Sequence, residues 1–161
     1  MSDLSHLDSA GRVRMVDVSG KAESDRVAVA EGFLRAAPET LQAIVEGTLP
    51  KGDFRPTVQL AGIAGAKRTS ELIPLCHPLP LNHVEVEVEP ELEASRLRVT
   101  ATATVTARTG VEMEALTAVS VALLTAWDLL KAVDRGMRIE GIRLLEKRGG
   151  RSGDWKVDDP G

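Results

Sequence analysis

Two stretches of the chain alternate apolar and polar residues almost without error. One is His83-Val84-Glu85-Val86-Glu87-Val88-Glu89 and the other runs from Arg96 to Arg108. In the second, Leu97, Val99, Ala101, Ala103, Val105 and Ala107 share one face, while Arg96, Arg98, Thr100, Thr102, Thr104 and Thr106 share the other. A period of two belongs to an extended strand, and alternation this strict marks an antiparallel sheet with one dry face. Pro90 to Ser95 then forms the hairpin connection, which sets the Glu row opposite the Arg and Thr row. Shorter patterns predict strands over residues 12–18, where the alternation slips at Met15-Val16, over residues 26–33, and over residues 137–145. In residues 26–33 the pattern puts Val27, Val29, Glu31 and Phe33 on one face.

The helical period appears elsewhere. Glu112 to Val133 is apolar on more than one face, so the helix it predicts is buried on several sides, with a second subunit as one candidate cover, and Gly136 ends it. Pro38 suits the first turn of a short helix that reaches Glu46 and stops at Gly47. Phe54 to Lys67 is weakly helical, with Gly62 and Gly65 as points of close packing. Helical segments, then strand, strand, helix and strand predict an α+β fold with helices on one face of an antiparallel sheet.

Composition narrows the function. The chain has 161 residues, enough for one domain with a true core. Aromatic residues make up 2% with no Tyr, so the core is aliphatic and stacking platforms for single-stranded nucleic acid are missing. A formal net charge of −4 argues against a general DNA binder, and any phosphate site has to be a local cluster of Lys and Arg. One cysteine, Cys76, cannot close an internal disulfide, which fits a reducing compartment. No apolar run reaches the ~18 residues of a membrane span. The expectation is a cytoplasmic protein with a disordered stretch over residues 1–10, a single domain over 11–156 and a tail over 157–161.

Candidate chemistry sits in the densest stretches. Asp128 and Lys131, three apart, fall on one helix face; spacing alone makes them an exposed ion pair, but Asp128 is the only charge between Ala115 and Leu130. His77 lies in Pro74-Leu75-Cys76-His77-Pro78-Leu79-Pro80, where proline on both sides stiffens the backbone around a group able to transfer a proton. A core histidine bonded to a carbonyl is the equal alternative. Cys76, His77 and His83 make a poor zinc set, so no metal is expected. Lys51, Lys67, Lys131 and Lys147 each fall near Gly or Pro at an element end and together could neutralise a polyphosphate. The Gly-rich run from Lys147 to Gly153 could add backbone N–H groups, although composition favours a solvated tail. Gly47 to Gly52 has the spacing of a P-loop, but Asp53 follows where Lys is required.

Three stretches together, Ala66 to Leu81 (AKRTSELIPLCHPLPL), Gly110 to Met137 (GVEMEALTAVSVALLTAWDLLKAVDRGM) and Arg143 to Trp155 (RLLEKRGGRSGDW), resemble the cyclic pyranopterin monophosphate synthase family of molybdenum cofactor biosynthesis. The opening MVDVSGK is similar too, so the resemblance spans about Met15 to Trp155. It implies a ferredoxin-like fold assembled as a homohexamer, a trimer of dimers, with sites at subunit interfaces. It implies a lyase that rearranges a cyclised dihydroguanosine triphosphate to a pterin with a cyclic phosphate, releasing diphosphate without a redox cofactor. By the same resemblance Lys51, Asp128 and Lys131 form the catalytic group. Leu75, Cys76 and His77, with Glu112, Met113 and Glu114, line the substrate pocket; Lys67 and Lys147 hold phosphates, and Asp17 approaches. Two other classes compete: a ferredoxin-like regulatory module that binds a nucleotide without reacting it, and a structural assembly protein.

Overall fold

The structure, a computed structural model, describes residues 5–50 and 52–158. Its elements run β1 (Ser24–Arg35), α1 (Pro38–Glu46), α2 (Phe54–Lys67), α3 (Thr69–Leu72), β2 (His83–Glu91), β3 (Arg96–Ala107), α4 (Glu112–Leu130), β4 (Arg138–Arg148) and β5 (Trp155–Lys156). The strands form one antiparallel sheet in the order β2-β3-β1-β4-β5. Removing β5 leaves β1 and β3 at the centre and β2 and β4 outside, the order of a ferredoxin-like α+β fold with helices on one face.

The alternation in β3 works as read. Leu97, Val99, Ala101, Ala103, Val105 and Ala107 are buried, and the Glu row of β2 stands opposite Arg and Thr, with Glu87 against Thr100 and Glu89 against Arg98. Small residues let the helices approach. Ala115, Ala118, Val119, Ala122, Leu123 and Ala126 of α4 are fully buried. A Cβ at Gly32 of β1 would lie 2.8 Å from Leu123, one at Gly65 of α2 would lie 2.8 Å from Val121, and one at Gly62 would lie 3.1 Å from the Ala118 carbonyl. An alanine at any of these points would push layers apart, so the glycines of α2 are packing residues.

Several expectations are corrected. Residues 12–18 form no strand; an isolated bridge between Leu7 and Val13 is their only ladder contact among the described residues, because no neighbour lies alongside to pair with them. The strand expected over 26–33 extends over Ser24–Arg35, and α4 ends at Leu130, well before Gly136. Past Leu130 a turn carries the chain to Asp134, whose carboxylate accepts from the Ala37 N–H at 2.8 Å and from Thr40 at 3.3 Å and so ties this end to the start of α1. α1 itself ends as expected, with Gly47 left-handed at φ 68°. The Gly-rich run after Lys147 is a turn that brings β5 back onto β4, with the Gly149 N–H donating to Asp154 at 2.9 Å. α4 also has the length and apolarity of a membrane span, contrary to expectation, but half of it is packed inside the fold as a core helix.

The helix-free face of the sheet holds a charge that local pattern did not reveal. Glu31 is fully buried, held by Arg98 at 2.8 Å and Arg143 at 2.8 Å from the strands on either side.

Candidate active site

The N-terminal end of α4 opens on a pocket of about 290 Å³. The chain between α3 and β2 supplies Leu75, Cys76, His77 and Leu79, and the start of α4 supplies Glu112, Met113 and Glu114. The coil before β1 closes a third side with Val16, Val18 and Lys21. The two stretches singled out by their density therefore meet, although 35 residues of sequence separate His77 from Glu112.

His77 is anchored: its Nε2–H donates to the Val16 carbonyl at 2.8 Å, which leaves Nδ1 as the atom available to a bound molecule. The carbonyl partner and the pocket position thus hold together. Glu114 is 4% exposed, and burial, reinforced by the charge of Glu112, pushes its pKa up to about 7. A carboxyl poised there can both give and take a proton near neutrality. Burial and the Glu114 charge raise the Cys76 thiol, so it stays protonated and is a poor nucleophile. Asp17 is held below the usual carboxylate range by Ser19, which donates from both hydroxyl (2.6 Å) and backbone (2.9 Å), and by His77. Its neighbours Val16 and Val18 line the pocket while Asp17 is exposed.

The lysines do not all reach this pocket. Lys147 stands behind its wall without lining it: its ammonium lies 3.7 Å from Glu112 and is hydrogen-bonded to Ser152. Lys67 borders a second cavity, which shares Leu79 with the first. Asp128 and Lys131 are paired at 2.5 Å at the other end of α4, with side chains 62% and 49% exposed. Sixteen residues of helix put Asp128 about 24 Å from Glu112, too far for both to touch one small molecule within a single chain. Lys51 lies outside the described residues. Among those residues no three of His, Cys, Asp and Glu gather at metal-ligand spacing.

Sequence reasoning missed Lys21 and Thr109 at the pocket rim. Lys21 lies in the opening MVDVSGK that carried part of the resemblance, the one signal that could have found it.

Residues 15–150 match the model of the MoaC family. The chain is 57% identical over 159 residues to a protein of Thermomicrobium roseum named cyclic pyranopterin monophosphate synthase, covering 99% of this chain and 96% of that one. A protein of the same name from Novosphingobium aromaticivorans is 59% identical, over 98% and 99% of the two chains. Another of that name from Chloroflexus aggregans is 55% identical, over 99% and 96%.

Proposed function

The chain belongs to the MoaC family, and from that premise we propose that it is a cyclic pyranopterin monophosphate synthase. In this reading it is a lyase of molybdenum cofactor biosynthesis that converts a cyclised dihydroguanosine triphosphate to cyclic pyranopterin monophosphate and releases diphosphate. The observation that carries the reading is near-full-length identity to proteins of that name in a chain whose pocket gathers Cys76, His77, Glu112, Met113 and Glu114.

The chemistry suits the groups. Ring opening and pterin closure move protons between nitrogen, oxygen and carbon, and Glu114, poised near pH 7, can shuttle them. The Nδ1 of His77, with Nε2 fixed on Val16, orients the base or passes a proton. Lys51, Asp128 and Lys131 form the catalytic group, with the cations offsetting charge as diphosphate departs.

The 24 Å gap calls for a second copy. Leu116, Ser120 and Leu124 form an i, i+4 stripe along α4 that ends at Asp128, and Leu124 is 61% exposed. Two antiparallel α4 helices crossing at Ser120 set Leu116 of one copy against Leu124 of the other. The same crossing carries Asp128 and Lys131 of each copy to the pocket end of its partner. The stripe is its own complement under a two-fold axis. Such dimers are the units of the expected homohexamer, a trimer of dimers. The free thiol of Cys76 fits a reducing cytoplasm.

Supplying the cyclised nucleotide and assaying diphosphate together with the fluorescent oxidised pterin tests the reaction. Wild type releases both; Lys131→Ala releases neither and keeps its circular dichroism and assembly size. A folded wild-type protein that releases no diphosphate refutes the proposal, and Asp128→Asn with intact turnover refutes the catalytic role of Asp128.

A further inference from the structure

Two of the chain's three histidines, His6 and His77, line the substrate pocket, and one short segment sets them both. The Val16 carbonyl fixes the ring of His77. Two residues earlier, the Arg14 N–H donates to the His6 carbonyl at 2.9 Å. Residues 14–16 therefore space the two imidazoles. The remaining aromatic side chains are Phe33, Phe54, Trp127 and Trp155, and none of them borders this pocket. Among the described residues, the two imidazoles are its only aromatic rings.

His6 stands on a hairpin that the local sequence closes. Leu7 bridges Val13, the Asp8 N–H donates to the Arg12 carbonyl at 2.9 Å, and the Gly11 N–H returns to the Asp8 carbonyl at 2.9 Å. The Asp8 carboxylate ties the turn from within. It accepts from the Ala10 N–H at 2.9 Å, from the Arg12 N–H at 2.9 Å and from the Arg12 side chain at 2.8 Å. Gly11 takes φ 75°, which a side chain would strain. Little of this serves the core, because Leu7, Val13 and Met15 all remain exposed. What the hairpin does hold in place is the outer side of the pocket, where Ser5 and His6 face Glu112 and Glu114 across the opening.

The other walls select which end of a nucleotide enters. Leu75, Cys76 and Met113 are apolar, and Glu112 and Glu114 are carboxyls. Carboxyls accept from ring N–H and amino groups and repel phosphates. The heterocycle is the part of the guest that suits such walls, and a heterocycle held in plane needs a flat side chain against it. His77 has its ring orientation fixed by Val16, so His6 is the ring left to cover the guest from the solvent side.

We infer that the hairpin over residues 6–14 is a wall of the substrate pocket and that His6 is a binding residue, its imidazole stacking on the planar ring system of the guest; this rests on the reaction proposed above for the same pocket. His6 holds the ring and moves no proton.

Calorimetric titration of the cyclised nucleotide into the full-length Lys131→Ala protein, where the proposed reaction stops, tests it, with inorganic pyrophosphate as a guest that has no ring. Added to that background, His6→Ala weakens the nucleotide about tenfold and leaves pyrophosphate unchanged. His6→Phe, which keeps a flat face and drops both nitrogens, restores the nucleotide to within about twofold. Asp8→Ala loosens the turn and weakens the nucleotide by less than His6→Ala does. With Lys131 intact, His6→Ala raises KM for the nucleotide more than it lowers kcat. Thermal melts and assembly size confirm that each variant is folded. Unchanged nucleotide affinity in folded His6→Ala overturns the inference even if wild type performs the reaction, and so does a His6→Phe protein as weak as His6→Ala. If wild type releases no diphosphate from the nucleotide while His6→Ala still loses affinity for it, the wall stands and the reaction falls.

Discussion

At its first turn, α4 contributes a carboxyl to an enclosed pocket, where burial and a neighbouring charge hold Glu114 near neutrality. At its last turn the same helix offers Asp128 and Lys131 to solvent as a paired rim with no cavity of their own among those described. One end has shape, proton-transfer groups and apolar walls; the other has charge and exposure. An exposed i, i+3 pair contributes little to stability. In the proposed dimer neither end is a complete site alone, and the stripe of Leu116, Ser120 and Leu124 between them sets how the two copies overlap.

The comparison breaks most sharply by complementation. Asp128→Ala and Glu114→Gln each lower diphosphate release by at least ~100-fold. When the two variants are dissociated, mixed and reassembled, about one site in four joins two intact halves, and about a quarter of wild-type activity returns. A mixture as inactive as its parents would place both ends in separate roles.

Cross-linking measures the crossing point itself. Ser120→Cys, oxidised with copper phenanthroline, runs as a covalent dimer on a non-reducing gel, whereas wild type, whose single thiol is Cys76, does not. An oligomeric Ser120→Cys protein that stays uncrosslinked removes the antiparallel α4 pairing.

A smaller effect separates the buried end from the exposed one by pH. Glu114 ionises near pH 7 in the folded chain, against about 4.5 for an unperturbed carboxyl. The folded protein thus holds one more proton than the unfolded chain between those values. The stability contributed is present below pH 4.5 and is lost as pH rises through 7. Glu114→Gln flattens that slope, so at pH 8 the variant gains on the order of 2 kcal/mol over wild type in urea titrations, relative to their difference at pH 4.5. Parallel stability curves across this range would show that Glu114 is not perturbed.

Much of the scaffold could be read directly. The dry face of β3, the Glu row of β2 and the Pro38-to-Gly47 limits of α1 follow from periods and caps that act within a few residues. The failures are those in which a distant partner decides. Residues 12–18 carry an alternating pattern with no strand beside them to receive it, and their role is to give His77 the Val16 carbonyl. The glycines after Lys147 read as tail because composition hides that β1 is waiting for the turn. In the pocket, Leu75 to His77 and Glu112 to Glu114 came from resemblance; spacing could not have joined them. Arg151 comes from the far end of the chain to lie beside Lys21 and Arg26, and only the fold assembles them.

Glu31 has a consequence for how the sheet chooses its alignment. Its carboxylate is shared between Arg98 of β3 and Arg143 of β4, and β1 carries irregularities against β4 on both sides of it. Shift either neighbour by one position and an arginine rotates to the opposite side, leaving an ion stranded in an oily layer at a cost of several kcal/mol. The trio works as an indexing pin for three strands at once: it admits a single alignment, and that alignment is the one that brings Gly149 and Gly150 to rest on the beginning of β1.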